Sequence, residues 1–146
     1  MKNFDTWNSL KKEIHEKKTT PLFSEGEIWW THFGLNVGYE LDGKHDHFER
    51  PICIYKKHNE NHFLAIPVTS SENKAPWITE LQHGEKIFRC NLSQIKTMSS
   101  KRLIRRMAKL SENNKMLLVR DMSRHYIHTN DERPSFEGLS RAPMAK

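Results

Sequence analysis

Two cysteines stand in 146 residues, Cys53 and Cys90, too few and too far apart for a disulfide framework or a thiolate zinc cluster. They read as reduced, buried thiols in a reducing compartment. No apolar run approaches the length needed to span a bilayer. Met1 to Asp5 lacks the apolar stretch of a secretory signal, so cytoplasm is the expected location and no membrane is expected as a partner. A Gly-rich phosphate loop, a Gly-x-Ser-x-Gly elbow and a zinc-hydrolase motif are all missing, which leaves nucleotide-driven chemistry and triad hydrolysis without support. His45-Asp46-His47 has no partner cluster at ligand spacing and reads as a solvated loop, so neither metal nor cofactor is expected. Hydrophobic residues are also scarce, at 36%. That shortage suggests that part of the chain lies in tails outside the packed unit.

Positive charge is present in excess. Lysine and arginine total 24 against 18 acids, a net +6 with a pI near 9.4. That balance suits an anionic partner: nucleic acid, an acidic protein or a membrane surface. The basic residues gather late, at Lys96, Lys101, Arg102, Arg105, Arg106, Lys109, Lys115 and Arg120, with Glu112 the one acid from Lys96 to Arg120. Such a stripe is what phosphate contacts require, although a solvated face has the same composition.

The length suits one domain. Phe4, Trp7, Leu10 and Ile14 recur at helical spacing behind Asn3 or Asp5 as N-cap, and Thr19-Thr20-Pro21 stops the helix. From Gly26 the texture becomes strand-like: Ile28–Phe33, Pro51–Lys56, His62–Thr69, Trp77–Thr79 and Lys86–Cys90, with turns at Asn59–Asn61 and His83-Gly84. Many short strands with frequent turns point to an antiparallel barrel or sandwich. Side chains alternate along a strand, so one of Trp29 and Trp30 is core. The polar stretch Asn36–Glu49 is too long for a hairpin turn, and long loops of this kind are often functional. Lys101–Leu110 fits a helix or an edge strand. Ser111 caps a final helix with Met116, Leu117, Val119 and Met122 as its apolar face. Beyond that the chain turns polar, and Asn130–Lys146 reads as a mobile tail.

Trp29, Trp30, Tyr39, Phe48 and Trp77 offer stacking platforms for unpaired bases. Arg50 enters one strand and Thr69 ends the next, so antiparallel pairing brings them to one end of a sheet. An arginine there is an always-charged fork for a phosphorane-like dianion, and Thr69 can hydrogen-bond the same phosphate.

Gly26-Glu27-Ile28-Trp29-Trp30, Gly34-Leu35-Asn36-Val37-Gly38-Tyr39-Glu40 and Arg50-Pro51-Ile52-Cys53-Ile54 resemble, in order, the opening of the MazF/PemK toxins. The resemblance continues through Ile66-Pro67-Val68-Thr69-Ser70, Leu92-Ser93-Gln94-Ile95-Lys96, Ser100-Lys101-Arg102-Leu103 and Lys109-Leu110-Ser111. It spans residues 25–122, leaving 1–24 as a helical extension and 123–146 as a polar tail. It implies a mainly β fold, an SH3-like small barrel with an N-terminal and a C-terminal helix, acting as a homodimer. It also implies that Leu103–Leu110 is a strand. The expected activity is metal-independent cleavage of single-stranded RNA by the 2′-OH, in a toxin neutralised by a cognate antitoxin. By the same resemblance Arg50 and Thr69 are catalytic, while Tyr39, Glu40, Ser70, Ser93, Gln94 and Lys96 contact RNA. Tyr39 and Glu40 belong to the loop that closes over RNA in relatives. Ser93 departs from the pattern, because some members carry an acidic general base there. The loop Asp42–Phe48 is longer than in the shortest relatives. Rival readings are a catalytically silent RNA- or protein-binding module and a topoisomerase-binding toxin. Arg50 is expected at a rim, where its removal leaves the fold intact.

Overall fold

Asn3 opens the first helix, α1 (Phe4–His15), by accepting from the Thr6 amide at 3.0 Å. The computed structural model describes residues 1–127. Trp7 and Ile14 of α1 are buried, whereas Phe4, expected on the same face, is exposed. Seven strands follow: β1 (Glu27–His32), β2 (Glu49–Lys57), β3 (His62–Thr69), β4 (Ile78–His83), β5 (Lys86–Asn91), β6 (Lys96–Ser99) and β7 (Leu103–Lys109). A closing helix, α2, spans Glu112–Tyr126. Short 3-10 turns occupy Leu92–Gln94 and Ser100–Arg102. The segment that fitted either helix or strand is strand β7.

The strands form one antiparallel sheet in the order β4-β5-β3-β2-β1-β7, with β6 also on β3. β3 divides its partners: His62–Ala65 pairs with β6, and Val68 and Thr69 pair with β5. The sheet bends there into the small-barrel shape, without closing through hydrogen bonds between β4 and β7.

The central strands are apolar on both sides, which is why they read as continuous hydrophobic runs. Ile28, Cys53 and Ile66 face one core with Leu118 and Met122 of α2. Trp29, Ile52, Ile54 and Ala65 face the other with Phe63 and Met98. The registers Ile28↔Cys53 and Cys53↔Ile66 keep each set together, since a slip of one residue would exchange the two faces. Both thiols are free and fully buried, and burial pushes the Cys53 thiol up to about 12.

Ser111 caps α2 as expected, accepting from the Asn114 amide at 3.1 Å. The buried face is Asn114, Leu118 and Met122, not the expected Met116 and Val119, which are exposed. Apolar residues occur all round this helix, so periodicity alone could not choose the face. α2 also continues through Ser123 to Tyr126, whose hydroxyl donates to the Leu92 carbonyl. Residues 123–126 are therefore helix where a tail was expected, and Asn130–Lys146 lies outside the described residues. No helix among the described residues is long and apolar enough to cross a membrane.

Candidate active site

Sheet register builds the first half of the site. The β2–β3 ladder ends at Ile52↔Pro67, and Arg50 and Thr69 lie two residues beyond it on the wall of one hollow. Arg50 is 7% exposed, which corrects its expected place at a rim. Its Nε donates to the Asp42 carbonyl at 2.8 Å and one terminal nitrogen donates to the Val68 carbonyl at 3.1 Å. Those bonds fix the plane of the guanidinium while leaving other N–H groups of its fork for a ligand. Burial lowers its pKa from the ordinary arginine value, and the negative charge of Asp42 partly opposes that shift. Thr69 is half-buried and its Oγ1 accepts from the Ser71 amide at 3.1 Å, so the hydroxyl proton remains available to donate. Ser70 is exposed, with its Oγ 3.4 Å from Lys44 Nζ.

These three residues line a hollow of about 370 Å³. Glu49, His45 and Lys86 share its wall, and Trp30 and Met107 give it an apolar side. Arg105 lies 5.1 Å over the Trp30 ring and 3.6 Å from Glu49. Glu49 and His45 bring titratable groups to this hollow that the sequence reading did not assign. Glu49 was legible only as the neighbour of Arg50, and His45 only as a solvated loop residue.

Tyr39, Glu40, Ser93, Gln94 and Lys96 meet at a second hollow, of about 440 Å³. Gln94 closes it by holding the loop: its side chain accepts from the Leu41 amide at 3.2 Å and donates to the Tyr39 carbonyl at 3.1 Å. Asn36 and Asp42 latch the same loop, with the Asn36 amide donating to Asp42 Oδ1 at 2.6 Å and Asn36 Nδ2 to the Leu41 carbonyl at 2.8 Å. Tyr39 is fully exposed. Ser93 is exposed and its hydroxyl is 2.6 Å from Asn91 Oδ1. Phe33, buried beside the second hollow, has its ring 5.7 Å from the Arg50 guanidinium and 4.9 Å from the Lys96 ammonium.

The stretch Asn36–Glu49 folds back on itself. The Phe48 carbonyl accepts from the amides of Phe33 and Gly34, and Lys44 and Glu49 exchange backbone bonds at 2.7 and 2.9 Å. His45 and Phe48 adopt positive φ, an uncommon conformation for non-glycine residues and one concentrated at functional sites. Gly43 is required at this stem, because a Cβ there would sit 1.8 Å from the Phe48 carbonyl oxygen. The N-terminal segment braces the loop: Trp7 of α1 packs edge-on to Phe48 at 5.6 Å, and Lys2, just before the helix, pairs with Asp42 at 2.9 Å.

Of the stacking candidates, Trp29 and Phe48 are buried, and Trp29 Nε1 donates to Glu27. Trp30 and Tyr39 remain at the hollows, and Trp77 lies in neither. The basic stripe is dispersed by the fold. Arg106 pairs with buried Glu27, Arg105 with Glu49, Lys115 with Glu112 and Arg120 with Asp121. Lys96 stays in the second hollow, and Lys101 and Arg102 meet α1.

A model of the PemK-like, MazF-like toxin family of type II toxin–antitoxin systems matches residues 24–122. The fold is similar to that of MazF from Deinococcus radiodurans, with a TM-score of 0.57 and 17% identity, covering 73% of this chain and 96% of that one. It is also similar to a mycobacterial endoribonuclease in complex with its cognate antitoxin, with a TM-score of 0.52 and 12% identity, covering 70% and 92%. A further mycobacterial endoribonuclease gives 0.53 and 12%, covering 74% and 92%. No curated protein matches the sequence.

Proposed function

We propose, from the premise that this chain belongs to the PemK-like, MazF-like toxin family of type II toxin–antitoxin systems, that it is an endoribonuclease acting on single-stranded RNA. The observation that carries this reading is Arg50, buried, pinned by two carbonyls and sharing with Thr69 the wall of a hollow wide enough for a phosphodiester.

The ribose 2′-OH attacks the adjacent phosphorus and the 5′-oxygen leaves, giving a 2′,3′-cyclic phosphate and a 5′-OH end. DNA has no 2′-OH and is not cut. Arg50 stabilises the dianionic charge of the five-coordinate state, and its fixed plane avoids reorganisation during the reaction. Thr69 donates to a non-bridging oxygen. Ser93 offers no carboxylate, so proton transfer falls to the titratable groups on the same wall as Arg50, Glu49 and His45. Tyr39 supplies a stacking face, and Glu40, Ser70, Ser93, Gln94 and Lys96 line the path of the strand. The protein acts as a cytoplasmic homodimer, and an acidic segment of a cognate antitoxin blocks the basic path.

Ser93 favours a second reading, a silent module that binds RNA without cutting it. The two readings part in one experiment: folded protein with long single-stranded RNA in EDTA, beside Arg50→Ala and Arg50→Lys. Discrete 5′-OH fragments from wild type, absent with Arg50→Ala, are expected. Intact RNA in the presence of folded dimer overturns the ribonuclease reading and leaves the silent module.

A further inference from the structure

The helix α1 lies outside the residues matched by the family model, yet it is bonded closely to the domain. Lys101 Nζ donates to the His15 carbonyl at 2.7 Å, and Lys17 Nζ donates to the Lys101 carbonyl at 3.1 Å. Arg102 lies over the Trp7 ring at 5.6 Å and donates to the carbonyls of His32 and Phe33 at 3.1 and 3.2 Å. Between α1 and the Ser99–Arg102 turn a groove of about 370 Å³ opens, with Lys11, Lys12, Lys101 and Arg102 on its walls and Glu16 as its one acid. Lys11 and Lys12 are exposed, and neither ammonium has a hydrogen-bond or ion-pair partner among the described residues.

Packing explains the bonds that seat the helix but not the charge left beside them. Burial first, then the positive charges of Arg102 and Lys11, hold the Lys96 ammonium below its usual range, with Glu40 pulling the other way. Burial likewise lowers Arg102. Cations gathered where solvation is reduced and carboxylates are few repel one another, and a bound polyanion relieves that cost.

A line of cations leads from this groove towards the candidate active site, since the charges of Arg102 and Lys11 both act on Lys96. Arg102 is bonded to the Phe33 carbonyl, and the Phe33 ring carries Lys96 on the way to Arg50. We infer that the groove between α1 and the Ser99–Arg102 turn is a phosphate-binding track that carries the RNA strand onward from Arg50, past Lys96 and Arg102, to Lys11 and Lys12. This inference rests on RNA being the substrate class and adds to it a binding surface outside the family domain. An RNA strand held at Arg50 needs only to continue along the chain of cations to reach α1.

The test uses a 2′-O-methyl RNA oligonucleotide, which blocks attack by the 2′-oxygen and so separates binding from cleavage. Its affinity is measured across a salt series for the wild type, Lys11→Gln/Lys12→Gln and Lys11→Arg/Lys12→Arg. Each phosphate contact to a single strand contributes about 0.7 to the slope of log affinity on log salt, so the glutamine variant should be shallower by about 1.4. A fourfold rise in salt then costs it about sevenfold less affinity than it costs the wild type. The arginine variant should keep the wild-type slope. Equal slopes and affinities for the wild type and the glutamine variant overturn the track. So does unchanged RNA binding with lost binding of a poly-glutamate peptide, which assigns the groove to an acidic protein. Cleavage is read separately on unmodified RNA: a wild type that cuts nothing but keeps the Lys11- and Lys12-dependent slope removes the ribonuclease reading and supports the track.

Discussion

The two hollows of the candidate site are built by different means. Arg50 and Thr69 are placed by strands whose register is locked from both sides, because β2 and β3 each bury two opposite faces. Tyr39 and Glu40 are placed by a loop, held by Gln94, Asn36 and Asp42 and braced from outside by the N-terminal segment. A buried register has one low-energy solution, whereas a latched loop depends on a few hydrogen bonds of about 1 kcal/mol each. On the proposed function, the chemistry is assigned to the rigid half and the surface for the rest of the RNA to the adjustable half. Asp42 couples them, since its carbonyl holds Arg50 while its carboxylate holds Asn36 and Lys2.

The sharpest way to break that contrast is at Arg50. Arg50→Ala should reduce single-turnover cleavage by about 100- to 1,000-fold, the usual loss for a donor to a developing oxyanion. It should also destabilise the fold by about 1–3 kcal/mol, because the Asp42 and Val68 carbonyls lose a buried donor. Arg50→Lys restores the charge but not the planar fork, so it should recover more stability than activity. Thermal melts beside cleavage rates separate the two losses. Equal recovery of both would mean that Arg50 acts only as a structural tie.

Next in size is the contact that seats α1 on the loop. Gly34 has φ +94°, and a Cβ there would meet the Trp7 ring at 2.3 Å. Gly34→Ala therefore combines an unfavourable backbone conformation with overpacking, a cost of about 2 kcal/mol. The comparison predicts that proteolysis and hydrogen exchange should rise first in α1 and in residues 36–48, before the sheet. Simultaneous loosening of β2 and β3 would show that the halves are one cooperative unit.

A smaller effect is expected at Gln94. Gln94→Ala removes both side-chain bonds to the loop, and the half-exposed position limits the stability loss to about 1 kcal/mol. RNA affinity should weaken by about threefold to tenfold with little change in the cleavage rate of bound RNA. A fall in that rate with unchanged affinity would place Gln94 with the catalytic half instead.

The same contrast explains what the sequence made legible. Strand positions such as His62–Thr69 follow from β-branched and aromatic runs bounded by turns, and pairing them in sequence order brings Arg50 to Thr69. The burial of Arg50 was not legible, because it depends on the Asp42 carbonyl reaching back from a loop whose path no periodicity describes. β6 was missed because Lys96–Ser99 is short and polar except at Met98, so its strand character comes from pairing with β3. The apparent basic stripe was a linear feature that a bent sheet spreads over several faces, where carboxylates distant in sequence, such as Glu27 and Glu49, neutralise part of it. The division of the site into two hollows, with Phe33 between Arg50 and Lys96, required coordinates, since Phe33 carries no signal beyond that of a core aromatic.

Acid should separate the halves in two steps, the smallest of the expected effects. His32 ends β1 beside the loop stem, with Nδ1 3.0 Å from the His47 carbonyl, and burial lowers its pKa from 6.5, partly offset by that bond. Its unfolded state therefore takes up a proton first, so stability is full above about pH 6.5 and falls as pH drops from there towards the folded value. Glu27 opens β1 and its carboxylate bonds Arg106 of β7. Burial pushes its pKa up, but donors from Trp29, Ser24 and Arg106 outweigh burial and hold it below 4.5. Its contribution is present above about pH 4.5 and is lost as pH falls through the lower folded value. Melting temperature measured against pH should thus decline in an upper window that His32→Gln flattens and a lower window that Glu27→Gln flattens. In the upper window the loop residues 44–48 should exchange amide hydrogens faster while β1 and β7 stay protected. If both segments lose protection together near pH 6, His32 guards the sheet as a whole, and the mechanical separation between the strand-built and loop-built halves does not hold.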